Sequence, residues 1–314
     1  MRPLTNFSER AQRLGRISSC LQPLHGNFPL LKVTRLNSSS LDKLRNMVNL
    51  YLLANLEAFY KGRSFHMHDR LFDNCISEIL GLPNITPNGL ILPKQQTYLA
   101  YNQIHAAIVE IINSLNLEAH IKSVHAPVNI RLVNGTPDPT VDTRPRASVK
   151  MHSDMWAGEP ANAIMVFLPI YGEHGKIGIK WIEPLTFPVS LMRPLDDFDE
   201  GLSLIENGIE YDAGFNPGDL VLVDPFVLHA TQKNACGMRL SLEFRFIASE
   251  NLISDKHTPG TRHRNYLSYP EWSDIGQRRI LVSEEPLSPF LGEHGPTKND
   301  YAAEFKIVDV DESL

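Results

Sequence analysis

Hydrophobic residues in the first third of the chain recur at helical spacing. Residues 38–62 place leucine and valine every three or four positions, and residues 69–83 and 96–117 repeat this pattern. A hydrophobic stripe of this period buries one face of a helix, so the pattern predicts three helices. Residues 1–38 show no sustained period and are predicted to be an irregular segment that lies over the domain.

The hydrophobic pattern changes to that of strands from about residue 121. Short runs rich in β-branched and aromatic residues alternate with turn residues, and the run at 147–156 belongs to this series. In the run at 238–248, polar and apolar residues alternate. The polar set is Arg239, Ser241, Glu243 and Arg245, and the apolar set is Leu240, Leu242, Phe244 and Phe246. Residues 251–314 lose the pattern and are predicted to be loops and a short tail.

Short strands with turns at close spacing favour an antiparallel barrel or a double-sheet jelly roll. The predicted fold class is α+β and mainly antiparallel β, with the preceding helices packed on the β core. The simplest division of the chain is one domain over 39–250, preceded by the N-terminal segment 1–38 and followed by a C-terminal extension, 251–314, packed on the domain.

Composition is that of a globular domain. The 314 residues are 42% hydrophobic and 21% charged, which is enough for a sizeable core. The formal net charge is -6, whereas a nucleic-acid-binding protein normally carries a basic excess. The expected partner is therefore a small molecule and not a nucleic acid, and the sequence does not indicate an oligomeric state.

The three cysteines, Cys20, Cys75 and Cys236, are far apart and form no C-x-x-C pair. They predict neither a disulfide framework nor a zinc knuckle, and they fit a reducing compartment. No apolar run approaches the roughly 20 residues of a membrane span, and the N-terminus lacks the apolar stretch of a secretory signal. The expected location is cytoplasmic, without a membrane partner. The arginines and serines near the N-terminus leave an organelle transit peptide as an alternative.

Residues with metal-binding chemistry follow one order along the β-rich part. His152 and Asp154 stand two positions apart, His229 follows an apolar run, and Arg239 and Ser241 come after it. Positions i and i+2 of an extended chain share a face, so His152 and Asp154 can point at one spot. Two histidines and one carboxylate occupy one face of an octahedron and leave positions open, which suits Fe(II) and dioxygen chemistry.

A turn predicted at 234–237 would form a hairpin and bring Arg239 beside the strand that carries His229. The planar guanidinium of arginine pairs with a carboxylate through two parallel hydrogen bonds. Ser241 lies on the same strand face as Arg239 and can add a hydroxyl to the same carboxylate. The pair therefore predicts a binding site for a carboxylate.

This set of residues resembles that of the Fe(II)- and 2-oxoglutarate-dependent dioxygenases. The resemblance covers about residues 120–248 and implies a double-stranded β-helix (jelly roll) core. It implies that His152, Asp154 and His229 bind the iron. It also implies that Arg239 and Ser241 hold the C5 carboxylate of 2-oxoglutarate. The stretch "HSDMWAGEP" and the later "FLP" further resemble the branch found in carbohydrate and aminoglycoside pathways, such as the streptomycin-biosynthesis oxygenases.

The resemblance implies an enzyme that uses Fe(II), 2-oxoglutarate and O2 to hydroxylate an unactivated C–H bond of a small polar metabolite, with release of succinate and CO2. A sugar or a sugar-containing natural product fits the narrower resemblance, and desaturation, epimerisation and cyclisation are variants of the same chemistry. Asp154 argues against a halogenase, in which this carboxylate is absent. Lys150, Trp156 and Asn162 lie near the motif and are candidate substrate contacts.

Several alternatives stay open at this point. A jelly-roll (cupin-like) isomerase or binding protein would use the metal without oxidation, but it would have no need of Arg239 and Ser241. A non-catalytic relic would keep the site for binding only, and the acidic balance disfavours an oxygenase acting on protein or nucleic acid. His-Met-His-Asp at 66–69 is a rival metal site. Residues 180–215 read as a long excursion between strands that covers the pocket.

Overall fold

The structure is a computed structural model that describes residues 7–21, 28–233, 236–252, 262, 265–288 and 305–310. Its α-helices are α1 (Phe7–Ile17), α2 (Ser38–Phe59), α3 (Leu71–Asn74), α4 (Ile76–Leu80), α5 (Tyr98–Ser114), α6 (Pro139–Asp142) and α7 (Tyr269–Ser273). Its strands are β1 (Leu31–Arg35), β2 (Ile121–His125), β3 (Asn129–Asn134), β4 (Ala163–Gly172), β5 (Ile179–Glu183), β6 (Ile209–Tyr211), β7 (Asp219–Val223), β8 (Leu228–Thr231), β9 (Met238–Ala248), β10 (Tyr266–Ser268), β11 (Arg279–Ser283) and β12 (Phe305–Asp309). Over these ranges, no helix combines the length and the apolar character that crossing a membrane requires.

The two long helices form where the hydrophobic spacing predicts them. Helix α2 begins behind Asn37, whose side chain accepts a hydrogen bond from the backbone N–H of Ser40 at 2.8 Å and so satisfies one of the free N–H groups of the first turn. Helix α5 lies within the predicted range 96–117. The helix predicted over 69–83 is instead two short helices, because the backbone at Cys75 leaves the helical region (φ -119°, ψ 25°) between α3 and α4.

The β core consists of two antiparallel sheets, and this confirms the predicted fold class. The larger sheet has the order β1-β7-β4-β9-β2-β10, and β3 also pairs with β9. The smaller sheet has the order β6-β5-β8. Apolar side chains of both sheets, such as Phe167 of β4 and Trp181 of β5, belong to one buried cluster with their rings 6.3 Å apart. The sheets therefore face each other across a shared interior, as in a double-stranded β-helix.

The outer face of the larger sheet is covered by the long helices. Side chains of α2 and α5, such as Leu52 and Ile108, form one buried cluster with Leu168 of β4 and Leu242 of β9. Strand β9 is buried on both faces because its alternate residues point to the helices and into the space between the sheets. This arrangement turns the polar set of β9 inward, although the same alternation in an exposed strand would face water.

Both ends of the described chain carry regular structure. The predictions of an irregular segment over 1–38 and of loops and a short tail over 251–314 are therefore wrong. The N-terminal segment 1–38 contains α1 and β1, and β1 pairs with β7 in register Leu31 to Val223. The C-terminal range 251–314 contains β10, α7, β11 and β12, and β10 pairs with β2. Both edge strands were missed because they are short and gain their stability from pairing with distant strands.

Candidate active site

The structure brings His152, Asp154 and His229 together. One ligand atom from each residue lies within 4.8 Å of the others, and all three side chains are buried. His152 and His229 exchange two backbone hydrogen bonds of 3.0 and 2.8 Å in an isolated antiparallel bridge, so His152 lies beside the edge of strand β8. The predicted strand at 147–156 is otherwise absent from these residues, and Asp154 begins a short 3-10 helix that ends at Ala157. The bridge and the helix start together aim both side chains at His229.

The two imidazoles are neutral and present a free nitrogen. The Nδ1 atom of His152 lies 2.7 Å from the carbonyl oxygen of Lys150, which can only accept, so Nδ1 carries the proton and Nε2 keeps its lone pair. Burial and then the neighbouring His229 lower the pKa of His152 to about 3. Burial also lowers the pKa of His229, although Asp154 opposes this effect. A neutral imidazole with a free nitrogen is the form that binds a metal ion.

A buried arginine holds the carboxylate of Asp154. Arg245 of β9 donates from Nε to Oδ2 at 2.9 Å and from Nη2 to Oδ1 at 3.1 Å. Burial by itself would raise the pKa of Asp154, but Arg245 and then His229 outweigh it, so the pKa lies below its usual value. The carboxylate is therefore anionic and fixed in orientation. Sequence reasoning gave Arg245 no role, although the alternation in β9 already placed it on the same face as Arg239 and Ser241.

Arg239 is fully buried in the space between the two sheets. Its Nη1 donates to the Ser241 hydroxyl at 3.0 Å, while Nε and Nη2 have no hydrogen-bond partner among the described residues. Burial lowers the pKa of Arg239 to about 10, and Glu243 opposes this only in part. Buried N–H groups of a cation without partners are costly, so the site fits an anionic group that would accept from them.

Arg239 reaches this position by another route than the predicted hairpin. Strand β8 pairs with β5 in the smaller sheet, whereas β9 pairs with β4, β3 and β2 in the larger one. Arg239 therefore faces the strand of His229 from the opposite sheet and does not lie beside it. Residues 234 and 235 of the predicted turn lie outside the described residues.

A cavity opens beside the triad. Its walls include His152 and Asp154. The other polar residues on its walls include Asn88, His125, Arg131, Arg146, Glu159 and Arg262. The apolar residues include Leu90, Ile91, Leu92, Pro93, Pro127 and Phe198. The Phe198 ring stacks on the His152 ring with centroids 4.5 Å apart, so the predicted excursion reaches the site, although it is shorter than the predicted 180–215 because β5 and β6 lie within that range.

The three predicted substrate contacts are not among the residues that line this cavity. Lys150 forms ion pairs with Asp197 and Asp199, at 2.8 and 2.5 Å. Trp156 is fully buried, and its indole N–H donates to the carbonyl oxygen of Leu191 at 2.9 Å. Asn162 lies half-buried in the turn before β4. Lys150 and Trp156 thus hold the excursion against the site, and substrate binding by these three residues stays a prediction without support from their contacts.

Helix α1 supports the triad from outside. Arg10 and Arg13 both bind Asp224, which follows β7, and all three side chains are fully buried. The next residue, Pro225, accepts a hydrogen bond of 2.6 Å from the hydroxyl of Ser153, which stands between the two ligands of the His-x-Asp motif. Helix α1 therefore holds the loop after β7, which leads to His229, and this loop in turn holds Ser153 of the motif.

The rival metal site at 66–69 has exposed side chains. Among the described residues, His152, Asp154 and His229 are the one group of His, Cys, Asp or Glu side chains close enough together to hold a metal ion. His125, at the end of β2, lines the cavity.

No family model matches the chain, and no curated protein matches it. Among solved structures, the chain is similar to the non-heme alpha ketoglutarate dependent carbocyclase SnoK from nogalamycin biosynthesis, at 12% identity over 98% of each chain and a TM-score of 0.45. It is similar to EctD from S. alaskensis, solved with 2-oxoglutarate and 5-hydroxyectoine, at 14% identity over 71% of this chain and 73% of that one, with a TM-score of 0.41. It is also similar to an N-substituted L-amino acid dioxygenase from Burkholderia ambifaria, at 10% identity over 77% and 91% of the two chains, with a TM-score of 0.38.

These identities and TM-scores are low, so the function of the chain has to be inferred from its own site. The two antiparallel sheets that face each other across a shared interior agree with the predicted mainly antiparallel β core.

Proposed function

We propose that the chain is a non-haem Fe(II)- and 2-oxoglutarate-dependent oxygenase. The observation that carries the proposal is the pairing of a buried His-Asp-His cluster with a buried arginine that has unpartnered N–H groups. Two neutral imidazoles and one carboxylate are the donor set that suits Fe(II) with open positions. The N–H groups of Arg239 suit the distal carboxylate of 2-oxoglutarate.

The chemistry of each side chain indicates its role in the proposed reaction. His152, Asp154 and His229 would hold the iron, and Arg239 with Ser241 would hold the distal carboxylate of 2-oxoglutarate. Iron and 2-oxoglutarate, when bound, supply the activation of O2 that oxidises a substrate C–H bond with release of succinate and CO2. Phe198 and Trp181, whose rings lie 4.5 and 5.4 Å from those of His152 and His229, exclude water from the two histidines.

We further propose that the reaction is hydroxylation of a small polar metabolite, with a sugar or a sugar-containing natural product as the first class to test. Asparagine and arginine side chains on the cavity wall support a polar substrate. The alternative is a cupin-like isomerase or binding protein without oxidative chemistry. Arg239 favours the oxygenase, because the alternative offers no partner for Nε and Nη2, which are buried without a hydrogen-bond partner among the described residues.

The formal net charge of -6 supports a small molecule over a nucleic acid as the partner. Cys20, Cys75 and Cys236 are free thiols, and this supports a reducing, cytoplasmic location.

The test is anaerobic addition of Fe(II) and then 2-oxoglutarate to the purified protein, with the visible charge-transfer band of the chelate as the readout. The wild type should give the band, and Arg239→Ala should need about a hundredfold more 2-oxoglutarate to reach half of it, because two charge-assisted hydrogen bonds are lost. Arg63→Ala, which removes a half-exposed arginine paired with Glu78, is the charge-matched control and should match the wild type.

Arg239→Lys keeps the charge and tests the same point if the alanine variant fails to fold. It should fall between the other two proteins, since lysine cannot form the bidentate pair. A protein that binds Fe(II) but gives no band with 2-oxoglutarate would refute the oxygenase and favour the cupin-like alternative.

A further inference from the structure

A third histidine, His125, lies on the wall of the cavity beside the triad. It is the last residue of β2, which pairs with β9 on one side and with β10 on the other, where His125 itself is opposite Tyr266. Strand β3 begins at Asn129 and pairs with the same strand β9, so residues 126–128 form a short break between two strands on one partner. His125 and Pro127 line the cavity at this break, and the His125 side chain is only 5% exposed.

One ring nitrogen of His125 has a partner in the protein and the other does not. Its Nδ1 lies 3.3 Å from the carbonyl oxygen of Pro127, which can only accept, so Nδ1 carries the proton. The Nε2 atom therefore keeps its lone pair. This atom is buried and has no hydrogen-bond partner among the described residues. His125 thus brings a hydrogen-bond acceptor without a donor to the cavity wall.

The His125 ring is neutral and held in position. Burial lowers its pKa, Glu159 opposes this effect, and Arg262 and Arg245 lower the pKa further. The ring of Tyr266 packs edge-on against it with centroids 5.4 Å apart. Because the imidazole is neutral and its proton is on Nδ1, Nε2 can accept a hydrogen bond and cannot donate one.

The nearby polar groups direct their hydrogen bonds elsewhere. The hydroxyl of Tyr266 donates to Glu159 at 2.8 Å, and Arg262 donates to the same carboxylate at 3.1 Å. Arg245 donates to Asp154. A buried acceptor that is left unpaired costs about 1–3 kcal/mol, so a ligand that donates to Nε2 gains more here than it would from a solvated acceptor.

The surroundings favour a neutral donor over a charged one. An ammonium group would have to give up its hydration to reach a buried neutral nitrogen. The positive charges of Arg262 and Arg245 already act on His125 and would repel a cation at the same place. A hydroxyl or an amide N–H meets neither cost.

The cavity also has an apolar wall next to this acceptor. Leu90, Ile91, Leu92 and Pro93 follow one another in sequence and line the cavity together with Pro127, which is two residues from His125. A ligand that fits both features has an apolar C–H surface and a neutral hydrogen-bond donor at its edge.

We propose that the substrate of the oxygenase presents a neutral O–H or N–H group that donates to Nε2 of His125, while its carbon skeleton lies against residues 90–93. The inference rests on the proposed function and names its substrate class. His125 is then a residue that determines specificity, because an analogue without the donor would leave Nε2 unpaired. Hydroxylated rings meet the requirement, whereas a hydrocarbon or an ammonium group at this position does not.

The first test is the protonation of His125, measured by ¹⁵N NMR of the full chain with labelled histidines and with Zn(II) in place of iron. At neutral pH one nitrogen of His125 should carry a proton and the other should not, with the signals assigned by their loss in His125→Phe. Cyclohexanol should shift the resonance of the unprotonated nitrogen, and cyclohexanone, which has no O–H, should not. A proton on Nε2, or no shift with any donor, would overturn the proposal.

The second test compares the affinities of four six-membered rings, followed through backbone amide shifts of the cavity residues. Cyclohexanol or 2-piperidone should bind about tenfold more tightly than cyclohexanone, and comparison of these two donors separates an O–H site from an N–H site. Cyclohexylammonium should bind no better than cyclohexanone. His125→Phe should remove the preference for a donor and leave the affinity for cyclohexanone unchanged.

His125→Gln supplies an amide oxygen as acceptor, so it should keep part of the preference, and it serves if the phenylalanine variant fails to fold. His105→Phe is the matched control, because His105 is also fully buried but is not among the residues that line the cavity. Its preference for a donor should equal that of the wild type.

Equal binding of the donor probes and cyclohexanone would show that Nε2 accepts from water alone and would overturn the proposal. Tighter binding of cyclohexylammonium, or a preference for a donor that survives in His125→Phe, would do the same. The chelate band separates this inference from the proposed function. A band without the preference defeats only the substrate class, and the preference without a band defeats the oxygenase and leaves a cavity that binds neutral donors.

Discussion

Arg245 and Asp154 form a bidentate ion pair that joins the larger sheet to the His-x-Asp motif. The two N–H···O distances are 2.9 and 3.1 Å, and both residues are buried. Each carboxylate oxygen of Asp154 accepts one hydrogen bond from Arg245 and keeps a second lone pair. The pair therefore orients the carboxylate and leaves it able to bind a metal ion beside His152 and His229.

Replacing Arg245 should weaken metal binding. In Arg245→Gln the carboxylate of Asp154 loses its orienting partner, so we expect the affinity for Fe(II), or for Zn(II) as a stable substitute, to fall about 10–100-fold. Competition with a chromophoric chelator measures this without any turnover. Arg245→Lys should lose less than Arg245→Gln because it keeps the charge without the bidentate geometry. Unchanged metal binding in both variants would refute this role of Arg245, and tighter binding would show that the ion pair competes with the metal.

The buried ion pairs of Arg10 and Arg13 with Asp224 should contribute to the free energy of unfolding. Asp224→Ala leaves Arg10 and Arg13 buried without their carboxylate, so the free energy of unfolding should fall by about 3–5 kcal/mol. Urea unfolding followed by circular dichroism measures the change. Glu250→Gln removes the half-exposed partner of Arg16 on the same helix and should cost less than about 1 kcal/mol. Similar losses in the two variants would mean that the buried cluster is no more important than a surface pair.

Lys150 should hold the excursion in place. Lys150→Met removes the ion pairs to Asp197 and Asp199, which flank Phe198, so the amides of residues 197–204 should exchange with deuterium faster. The free energy of unfolding should change by less than about 1 kcal/mol, because both aspartates are about half-exposed. Lys176→Met, which removes an exposed pair with Glu173, is the control and should leave this exchange unchanged. Equal exchange in the wild type and in Lys150→Met would refute this role.

His105 should make the protein less stable in acid. Burial lowers the pKa of His105 to about 3, and its ring lies 4.2 Å from that of Trp272. The unfolded chain binds a proton at this residue below about pH 6.5, and the folded chain does so only near pH 3, so its contribution to stability is complete above pH 6.5 and is lost as the pH falls. At pH 5 the loss from this residue is about 2 kcal/mol.

Urea unfolding of His105→Leu at pH 7 and pH 5, in the presence of a chelator, checks this expectation. The variant should lose about 2 kcal/mol less than the wild type between the two pH values. His66→Gln changes an exposed histidine and should behave as the wild type. A pH dependence of His105→Leu equal to that of the wild type would show that His105 binds its proton equally well in the folded and the unfolded chain.

The sequence was sufficient to predict the elements that have a periodic hydrophobic pattern. The spacing of leucines predicted α2 and α5 to within a few residues, and the alternation of β9 placed Arg239 and Ser241 on one face. Their inward direction could not be read locally, because it depends on which face of the larger sheet the helices cover. The hairpin expected between β8 and β9 failed for the same reason, since neighbouring strands in sequence lie in different sheets.

The residues that sequence reasoning missed lie where no period exists. Arg146 and Arg262 belong to loops, and they meet at the cavity only through the fold. Arg245 was different, because its position in the polar alternation of β9 was visible, but nothing in the spacing related it to Asp154. A periodic pattern identifies a face, whereas an ion pair across 91 positions depends on tertiary structure.

Strands β1 and β10 pair with β7 and β2 of the larger sheet, so an expressed fragment has to include both of them to keep the sheet intact. A fragment of 39–250 would contain His152, Asp154, His229 and Arg239, yet it would lack β1 and β10. The backbone N–H and C=O groups of β7 and β2 that pair with these strands would then lack partners. Unpaired strand edges form hydrogen bonds with strands of other chains. Such a fragment should aggregate on expression, so crystallisation and screening should begin from a chain that keeps both flanking segments.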